Sequence, residues 1–351
     1  MILARSTSIE RFYAPAGNNI TKLEFEVYQG TDLIYSGTKI NYTPSLNSIE
    51  FDYSTFARDL IQPKFPITMS GTVVDTSLYV TLGFAFKWYN DTGSFGALGY
   101  ENSGTINFVY GYFNSTDMVF DSPYDVIDYS DVAYLSNHYV LMNEGTYEYN
   151  ASFNAGKIFV DCIGTTATVT YTGLVSGTTA TINLSDEFKG VPCVHTTFQN
   201  EGNKVVIVGY DTKTFYYKPI TECKYTPIRV DFINNLGGWQ RTWLFKASNE
   251  TITQKREQFT RGFNRLRYID GDSPTKMFNV ETMKSIKGNT GWVDEEFNTN
   301  TLEPLMNSET IFIDDKPVII KTQSTELVKH INQKMINYTL EFEYAFNTIY
   351  K

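Results

Sequence analysis

The residues of this chain best suited to nucleophilic or acid–base chemistry are three cysteines and three histidines, and one of each lies close together. Cys193 and His195 are two residues apart, so they share a face if the segment is extended. A thiol–imidazole nucleophile also needs a group that orients the base and donors for an oxyanion. The sequence supplies neither, so the pattern favours two residues of a core strand over a catalytic pair.

Other motifs of catalysis and cofactor binding are missing from the sequence. It contains no Gly-x-Ser-x-Gly nucleophile motif and no phosphate-binding loop. Aspartates and glutamates are numerous, but no pair stands out as a glycosidase acid and base. The cysteines have neither the number nor the spacing of a metal site or a disulfide framework. These absences favour a protein that is not an enzyme and has no cofactor.

An acidic segment near the middle of the chain invites comparison with calcium sites. It spaces its aspartates three or four residues apart, at Asp117, Asp121, Asp125, Asp128 and Asp131. A calcium loop of the EF-hand type also needs a central glycine and a terminal glutamate, and both are missing. The segment is therefore interpreted as a linker or part of a subunit interface, without a metal.

A basic segment follows between residues 241 and 287. It carries ten lysines and arginines, Arg256, Arg261, Arg265 and Arg267 among them, against five acidic residues. The whole chain has a net charge of −10 and a pI near 4.9, which argues against a surface made for nucleic acid. A solvated face or a subunit contact is preferred over a nucleic-acid groove.

Aromatic residues supply the remaining candidates for binding. Tyrosine and phenylalanine cluster at Tyr210, Phe215, Tyr216 and Tyr217, and two tryptophans lie at Trp239 and Trp243. Such side chains stack on sugars, and they also provide large rigid contact areas between subunits. The subunit interface is the preferred interpretation.

Composition predicts a mainly β protein. Aromatic residues make up 15% and charged residues 19% of the chain, and β-branched and aromatic residues suit a half-buried pleated surface. Residues 1–112 are predicted to form an antiparallel β-sandwich with one helix at residues 52–61, capped by Ser54. A turn is expected at Ser36-Gly37.

Two further modules and a linker complete the predicted organisation. Residues 113–139 form the acidic irregular linker. Residues 140–218 show short alternating strands separated by regularly spaced turns, as in an immunoglobulin-like sandwich. Residues 219–351 form a C-terminal β-rich assembly module.

The C-terminal module has the clearest local patterns. Apolar residues alternate at 228–232 and 239–245 around a Gly-Gly turn, which predicts a hairpin. Tyr338, Leu340, Phe342 and Tyr344 alternate with polar residues, which predicts a strand with one wet face. Between them, residues 292–306 have helical spacing, with Asn289 or Thr290 as the N-cap. Pro304 limits this region to one or two short helices.

Cellular location is suggested only by what the sequence lacks. Unpaired cysteines suit a reducing cytoplasm. No secretory signal and no membrane-spanning stretch are evident, so no membrane partner is expected.

Several segments resemble virion structural proteins of tailed bacteriophages that infect Bacteroides, the crAss-like phages among them. The segments that carry this resemblance are residues 225–239, 290–292, 305–308 and 337–344, with residues 49–61 near the N-terminus. The resemblance implies a virion protein of the tail or head–tail connector, made in the bacterial cytoplasm. It implies partners that are other tail or connector proteins and a ring of identical subunits. No catalytic residue is carried over.

These observations predict a homo-oligomeric ring subunit without sequence-specific nucleic-acid binding, although passing DNA is free to touch the ring. In such a ring the acidic segment of one subunit would face the basic segment of the next. The alternative is a tail-fibre or appendage adhesin that binds a bacterial surface glycan or receptor. A β-sandwich carbohydrate-active enzyme is a third, less favoured hypothesis.

Overall fold

The computed structural model describes residues 2–5, 9–13, 19–42, 48–64, 77–90, 101–111, 140–186, 188–209, 212–260, 275–322 and 336–346. The fold is mainly β, as the composition predicts, with several antiparallel sheets and a short parallel pairing of the first strand. The immunoglobulin-like sandwiches stay a prediction.

The chain divides into two compact units. Unit 1 comprises Met1–Tyr147, Phe153–Pro219 and Ile233–Gln240, and unit 2 comprises Glu148–Ser152, Ile220–Phe232 and Arg241–Lys351. Each unit is therefore built from separate stretches of sequence. The predicted division into three modules and a linker stays a prediction, and the linker itself lies outside the described residues.

The first sheet of unit 1 has five strands in the order β1-β7-β6-β3-β4. Beside it, β2 pairs with β5. The strands and the helix of this region are β1 (Ile2–Leu3), β2 (Ile9–Tyr13), β3 (Ile20–Gln29), β4 (Asp32–Ile40), β5 (Ser48–Asp52), α1 (Ser54–Leu60), β6 (Tyr79–Asn90) and β7 (Glu101–Val109).

The interior of this region is aromatic. Phe51 of β5 makes edge-on ring contacts with Phe25 and Phe86, at centroid distances of 4.8 and 4.9 Å. Phe56 of α1 stacks on the same ring at 5.6 Å. Ring pairs of this geometry add to the free energy gained from burial, so they hold the helix against the strands.

Two local predictions for this region are wrong. No turn occurs at Ser36-Gly37, because β4 runs through both residues and the Phe25 ring occupies the space where a Cβ of Gly37 would lie. Ser54 is not the cap of α1 but its first residue. The Asp52 carboxylate accepts hydrogen bonds from the Ser54 N–H and hydroxyl, at 3.0 and 2.6 Å, and so satisfies the helix start.

The second large sheet has the order β11-β10-β13-β14-β8, and a separate pair joins β12 to β9. The short alternating strands predicted for residues 140–218 are confirmed. The bounds are β8 (Gly145–Asn150), β9 (Lys157–Asp161), β10 (Thr166–Gly173), β11 (Thr179–Ser185), β12 (Phe188–Pro192), β13 (Asn203–Val208) and β14 (Thr212–Ile220), with a 3₁₀ turn at Thr196–Phe198.

Unit 2 is built mainly on a seven-stranded sheet with the order β16-β15-β19-β20-β21-β18-β17. The predicted hairpin around the Gly-Gly turn is confirmed by its first two strands. The bounds are β15 (Ile228–Ile233), β16 (Trp239–Leu244), β17 (Asn249–Thr260), β18 (Thr275–Val293), β19 (Ile311–Ile313), β20 (Lys316–Ile320) and β21 (Ile336–Tyr344).

One face of this sheet forms the hydrophobic core of unit 2. Val230 of β15, Ile313 of β19 and Leu340 of β21 are fully buried there. Along β21, Tyr338, Leu340 and Phe342 are buried while the alternate residues are exposed or half-buried. The predicted strand with one wet face is confirmed.

A helical segment links β18 to β19, as the sequence predicts. It consists of a π-helical turn at Asn298–Leu302 and α2 (Glu303–Met306), with Pro304 in the first turn of α2, where a missing N–H costs nothing. The predicted N-caps are wrong. Asp294 accepts a hydrogen bond from the Phe297 N–H at 3.1 Å, whereas Asn289 and Thr290 lie within β18.

Candidate assembly interface

A two-stranded ribbon extends from one end of the seven-stranded sheet. β17 pairs with β18 from Asn249–Lys287 to Thr260–Thr275. β21 pairs with β18 only from Ser285 onward. Within the described chain, residues 275–284 therefore have β17 as their one strand partner. We call β17 together with residues 275–284 the arm.

The arm is uncovered on both faces. Every residue of β17 is exposed, and residues 275–284 are exposed or half-buried. Large apolar side chains are among them: Ile252 is 68% exposed and Met277 57%. An isolated two-stranded ribbon is at best marginally stable in water, so an arm of this kind is typical of a surface that another molecule covers.

The arm is long enough for a substantial contact. Ten residues of extended chain span roughly 33 Å, and two strands with their side chains are roughly 10 Å wide. The two faces together then present on the order of 600–700 Å², close to the ~800 Å² per partner of a standard protein interface. The arm could thus contribute most of one subunit contact.

A β-bulge divides the arm into two parts. The register shifts between Lys255 and Glu257, and Asn279 on the opposite strand has φ of 50°. Such an extra residue changes which face the following side chains occupy. Beyond the bulge, Phe259 and Phe278 meet on one face with ring centroids 5.6 Å apart, and Met277 lies on the other. Apolar groups are therefore present on both faces.

Charges of both signs are spread along the arm. Lys284 forms an ion pair with Glu250 at 2.5 Å. This contact raises the pKa of Lys284 through the Glu250 hydrogen bond. The Arg256 guanidinium lies 3.5 Å from the Met277 sulfur. The arm is thus a mixed apolar and charged ribbon rather than a uniformly basic one.

A buried ion cluster lies at the opposite end of the same sheet, on β15 and β16. Arg241 donates two hydrogen bonds to Asp231, at 2.6 and 3.3 Å. Arg229 Nε is 3.0 Å from the same carboxylate and Arg229 also pairs with Asp315 at 2.5 Å. Burial raises the pKa of Asp231, and Arg241 and Arg229 oppose that shift. This cluster fixes the hairpin of β15 and β16.

The basic segment predicted from sequence therefore separates into residues with different surroundings. Arg241 is buried in the ion cluster. Lys246 pairs with Glu222 at 2.6 Å, and Lys284 pairs with Glu250. Arg256 lies on the exposed arm, and its role in a subunit interface stays a prediction. Its neighbours in the prediction, Arg261, Arg265 and Arg267, lie outside the described residues, as do Asp117, Asp121, Asp125 and Asp128.

The two tryptophans proposed for the interface lie inside the fold. Trp239 is 2% and Trp243 3% exposed. They are core side chains of the chain itself, so we do not include them in the assembly surface. A contact between either ring and a second subunit stays a prediction.

Cys193 and His195 lie just after the C-terminal end of β12. Cys193 is buried, and the Asn203 side chain joins both residues by accepting from the His195 N–H and donating to the Cys193 carbonyl. His195 Nδ1 accepts from the Thr197 N–H at 3.3 Å, so this nitrogen caps a 3₁₀ turn. Burial raises the pKa of nearby Tyr217. The prediction that both are residues of a core strand is wrong, because β12 ends at Pro192 and His195 precedes the 3₁₀ turn.

The aromatic cluster at 210–217 is not a continuous surface. Phe215 and Tyr217 are buried, whereas Tyr216 is exposed with Lys204 over its ring at 5.8 Å. Tyr210 lies outside the described residues. Successive rings along β14 thus lie on opposite faces of the sheet. The aromatic cluster therefore does not form a single binding surface.

Metal binding and membrane crossing are two further functions to consider. The described residues contain no group of three or more histidine, cysteine, aspartate or glutamate side chains placed to hold a metal ion. In the same residues, no helix has the length and hydropathy needed to cross a membrane.

Comparison with known proteins adds no relative. No family model, no curated protein and no solved structure matches the chain. A function for this chain is therefore inferred from the arm, the seven-stranded sheet and the sequence.

Proposed function

We propose that the protein is a non-enzymatic structural subunit of a tailed-phage virion that assembles with copies of itself into a ring of the tail or connector. The observation that carries the assembly part is the arm, whose outer strand β17 is exposed along its full length. The phage part rests on the sequence resemblance of residues 225–239 and 337–344. The sandwich architecture of the two N-terminal modules belongs to the same proposal.

The occupant proposed for the arm is a neighbouring copy of the chain. In the sequence, β17 is followed by Arg261, Arg265 and Arg267, and the chain also contains the acidic segment Asp117–Asp131. A head-to-tail contact between these segments uses opposite charges from one sequence, and such a contact closes into a ring when its rotation permits.

The first experiment is to determine the oligomeric state of the purified chain, alone and with a candidate partner ring protein, by native mass spectrometry and negative-stain imaging. Rings in either case support the proposal. A stable elongated trimer would favour the adhesin alternative, and a persistent monomer under both conditions would contradict ring assembly.

The second experiment removes the arm. Thr253 and Met283 are directly opposite each other, so replacing residues 254–282 by Asn-Gly closes the ribbon with a two-residue turn. We expect the shortened chain to keep a cooperative thermal unfolding transition and to lose assembly. A ring formed by the shortened chain would exclude the arm as the main contact.

Point substitutions provide a milder form of this test. Met277→Ser with Phe278→Ser removes two exposed apolar side chains of the arm and should weaken assembly at least tenfold, since central apolar contacts dominate many interfaces. Val175→Ser is the matched control, because Val175 is 84% exposed outside the arm. Reversing Arg261, Arg265 and Arg267 to Glu tests the charge pairing separately. Unchanged assembly in that triple variant would exclude the pairing.

A further inference from the structure

Trp292 is an exposed tryptophan on the outer face of the seven-stranded sheet, and a backbone irregularity places it there. Its side chain is 60% exposed. The pairing of β18 with β21 shifts register between Asn289 and Trp292, where Gly291 has φ of 84°. The next residue, Val293, is buried. Bulges of this kind commonly redirect a side chain at a binding site.

Hydrogen-bonding side chains lie beside Trp292 on the same face of the sheet and are joined to one another. Asn337 lies directly opposite Trp292 on β21. Asn289 Nδ2 donates to Asn337 Oδ1 and, at 3.0 Å, to Thr339 Oγ1, while Asn289 Oδ1 accepts from the Gly291 N–H at 2.9 Å. These contacts orient the Asn337 amide and leave the Thr339 hydroxyl hydrogen available to donate.

No other large exposed apolar side chain of the described sheet lies near this ring. Ile319, on the same outer face, pairs with Glu343, six residues along β21 from Asn337 and thus roughly 20 Å away. Ile252 of the arm pairs with Lys284, eight residues along β18. Tryptophans that anchor protein interfaces usually sit among other buried contacts. In the described part of the sheet, Trp292 instead has the amide and hydroxyl groups of Asn337 and Thr339 on the same face.

One aromatic face bordered by such groups matches the chemistry of a sugar ring. One face of a pyranose presents carbon-bound hydrogens that are weakly positive, and the face of an aromatic ring is negative. The hydroxyls at the rim of the sugar need donors and acceptors. Farther along β21 the same outer face carries Glu341 and Glu343, with Lys321 2.9 Å from Glu343. This row offers contacts to further sugar units.

We propose that Trp292, Asn337 and Thr339 form a saccharide-binding subsite that takes one pyranose of an oligosaccharide. Trp292 stacks on the sugar, and the Asn337 amide and Thr339 hydroxyl bind its hydroxyl groups. The subsite is separate from the arm, and it does not depend on the assembly proposed above. A virion subunit with this subsite would contact a polysaccharide at any surface where the outer face is uncovered.

The test uses the tryptophans of the chain as reporters. Trp88, Trp239 and Trp243 are at most 6% exposed, so acrylamide quenching of tryptophan fluorescence reports mainly on Trp292. Cello-, chito-, malto- and mannooligosaccharides are added up to about 10 mM, which covers weak binding. We expect at least one of them to protect the fluorescence saturably.

Affinity electrophoresis in gels with hydroxyethylcellulose, glycol chitosan, glycogen or mannan then tests the residues. Trp292→Ala should abolish retardation, Trp292→Tyr should keep part of it, and Asn337→Ala should weaken binding about fivefold, as loss of one hydrogen bond predicts. Ile319→Ser is the matched control, since Ile319 is also 60% exposed on the same face, and it should bind like the unaltered chain.

Two results would overturn the proposal. One is that none of these saccharides protects Trp292 or retards the chain. The other is protection that depends on protein concentration alone, which would assign the ring to a protein contact. The chain with its arm shortened should bind the same saccharide with the same affinity, so failure of the assembly proposal and failure of this one give different results.

Discussion

The two edge strands of the seven-stranded sheet have opposite surroundings. All six residues of β16 are buried, and all twelve residues of β17 are exposed. β16 sits beside the ion cluster of Asp231, whereas β17 has only β18 beside it among the described residues. Both are edge strands paired on one side, so pairing alone does not distinguish a strand that stabilises the fold from one that is exposed to another molecule.

β18 shows the same difference within one strand. Near its C-terminal end, Ile286, Gly288 and Val293 face the core of unit 2 and are buried. Among the described residues, 275–284 have no third strand beside them and contribute no side chain to the core of unit 2. The C-terminal part is therefore expected to determine the stability of the unit, and the N-terminal part to determine what the unit binds.

The largest expected effect is at the buried edge. Asp231→Ala leaves Arg241 buried without its carboxylate, and breaking a buried ion pair by removing one partner typically lowers the free energy of unfolding by about 3–5 kcal/mol. Chemical denaturation followed by circular dichroism measures this loss. Glu250→Ala, which removes an exposed partner of Lys284 on β17, is the control and should cost less than about 1 kcal/mol. Equal losses in both variants would remove the distinction between the two edges.

An intermediate effect is expected within β18. A Cβ at Gly288 would lie 2.5 Å from Leu244 Cδ1 and 3.3 Å from Ile228 Cδ1, so Gly288→Val should lower the free energy of unfolding by about 1–3 kcal/mol through overpacking. Thr282→Val, on the same strand and the same face, should change it by less than about 0.5 kcal/mol. Denaturation curves that coincide for the two variants would contradict the division of β18.

The smallest expected effect is on the exposed edge. Ile252→Thr alters a side chain that is 68% exposed, and the free energy of unfolding of the unassembled chain should change by less than about 0.5 kcal/mol. Thermal unfolding at low protein concentration is the appropriate measurement. A clear loss of stability would show that Ile252 packs against something within its own chain.

Sequence patterns predicted the parts of the fold that depend on local alternation. In β21 and in the β15–β16 hairpin, apolar residues alternate with polar ones, and this pattern is sufficient to predict the strands. The arm was missed because β17 has few apolar residues and its charged side chains suggest a solvated face in any conformation. A strand exposed on both faces has no burial pattern to reveal it.

Contacts between residues that are far apart in the sequence also could not be predicted. Arg241 was counted in a basic surface segment because nothing in its neighbourhood shows that Asp231 will neutralise it. Gly37 has no side chain, and the Phe25 ring occupies that space. Only the pairing of β3 with β4 brings the two residues together. The exposed position of Trp292 depends likewise on a register shift that its own sequence does not display.

The bulge at Asn279 has a consequence for the solubility of the free subunit. A long flat edge strand is a template on which identical chains can add to one another without limit. Here the ribbon is interrupted by the bulge and carries Lys255, Arg256 and Lys276 along its length, which are features that discourage such stacking. We therefore expect the chain to stay dispersed at high concentration while its arm is uncovered.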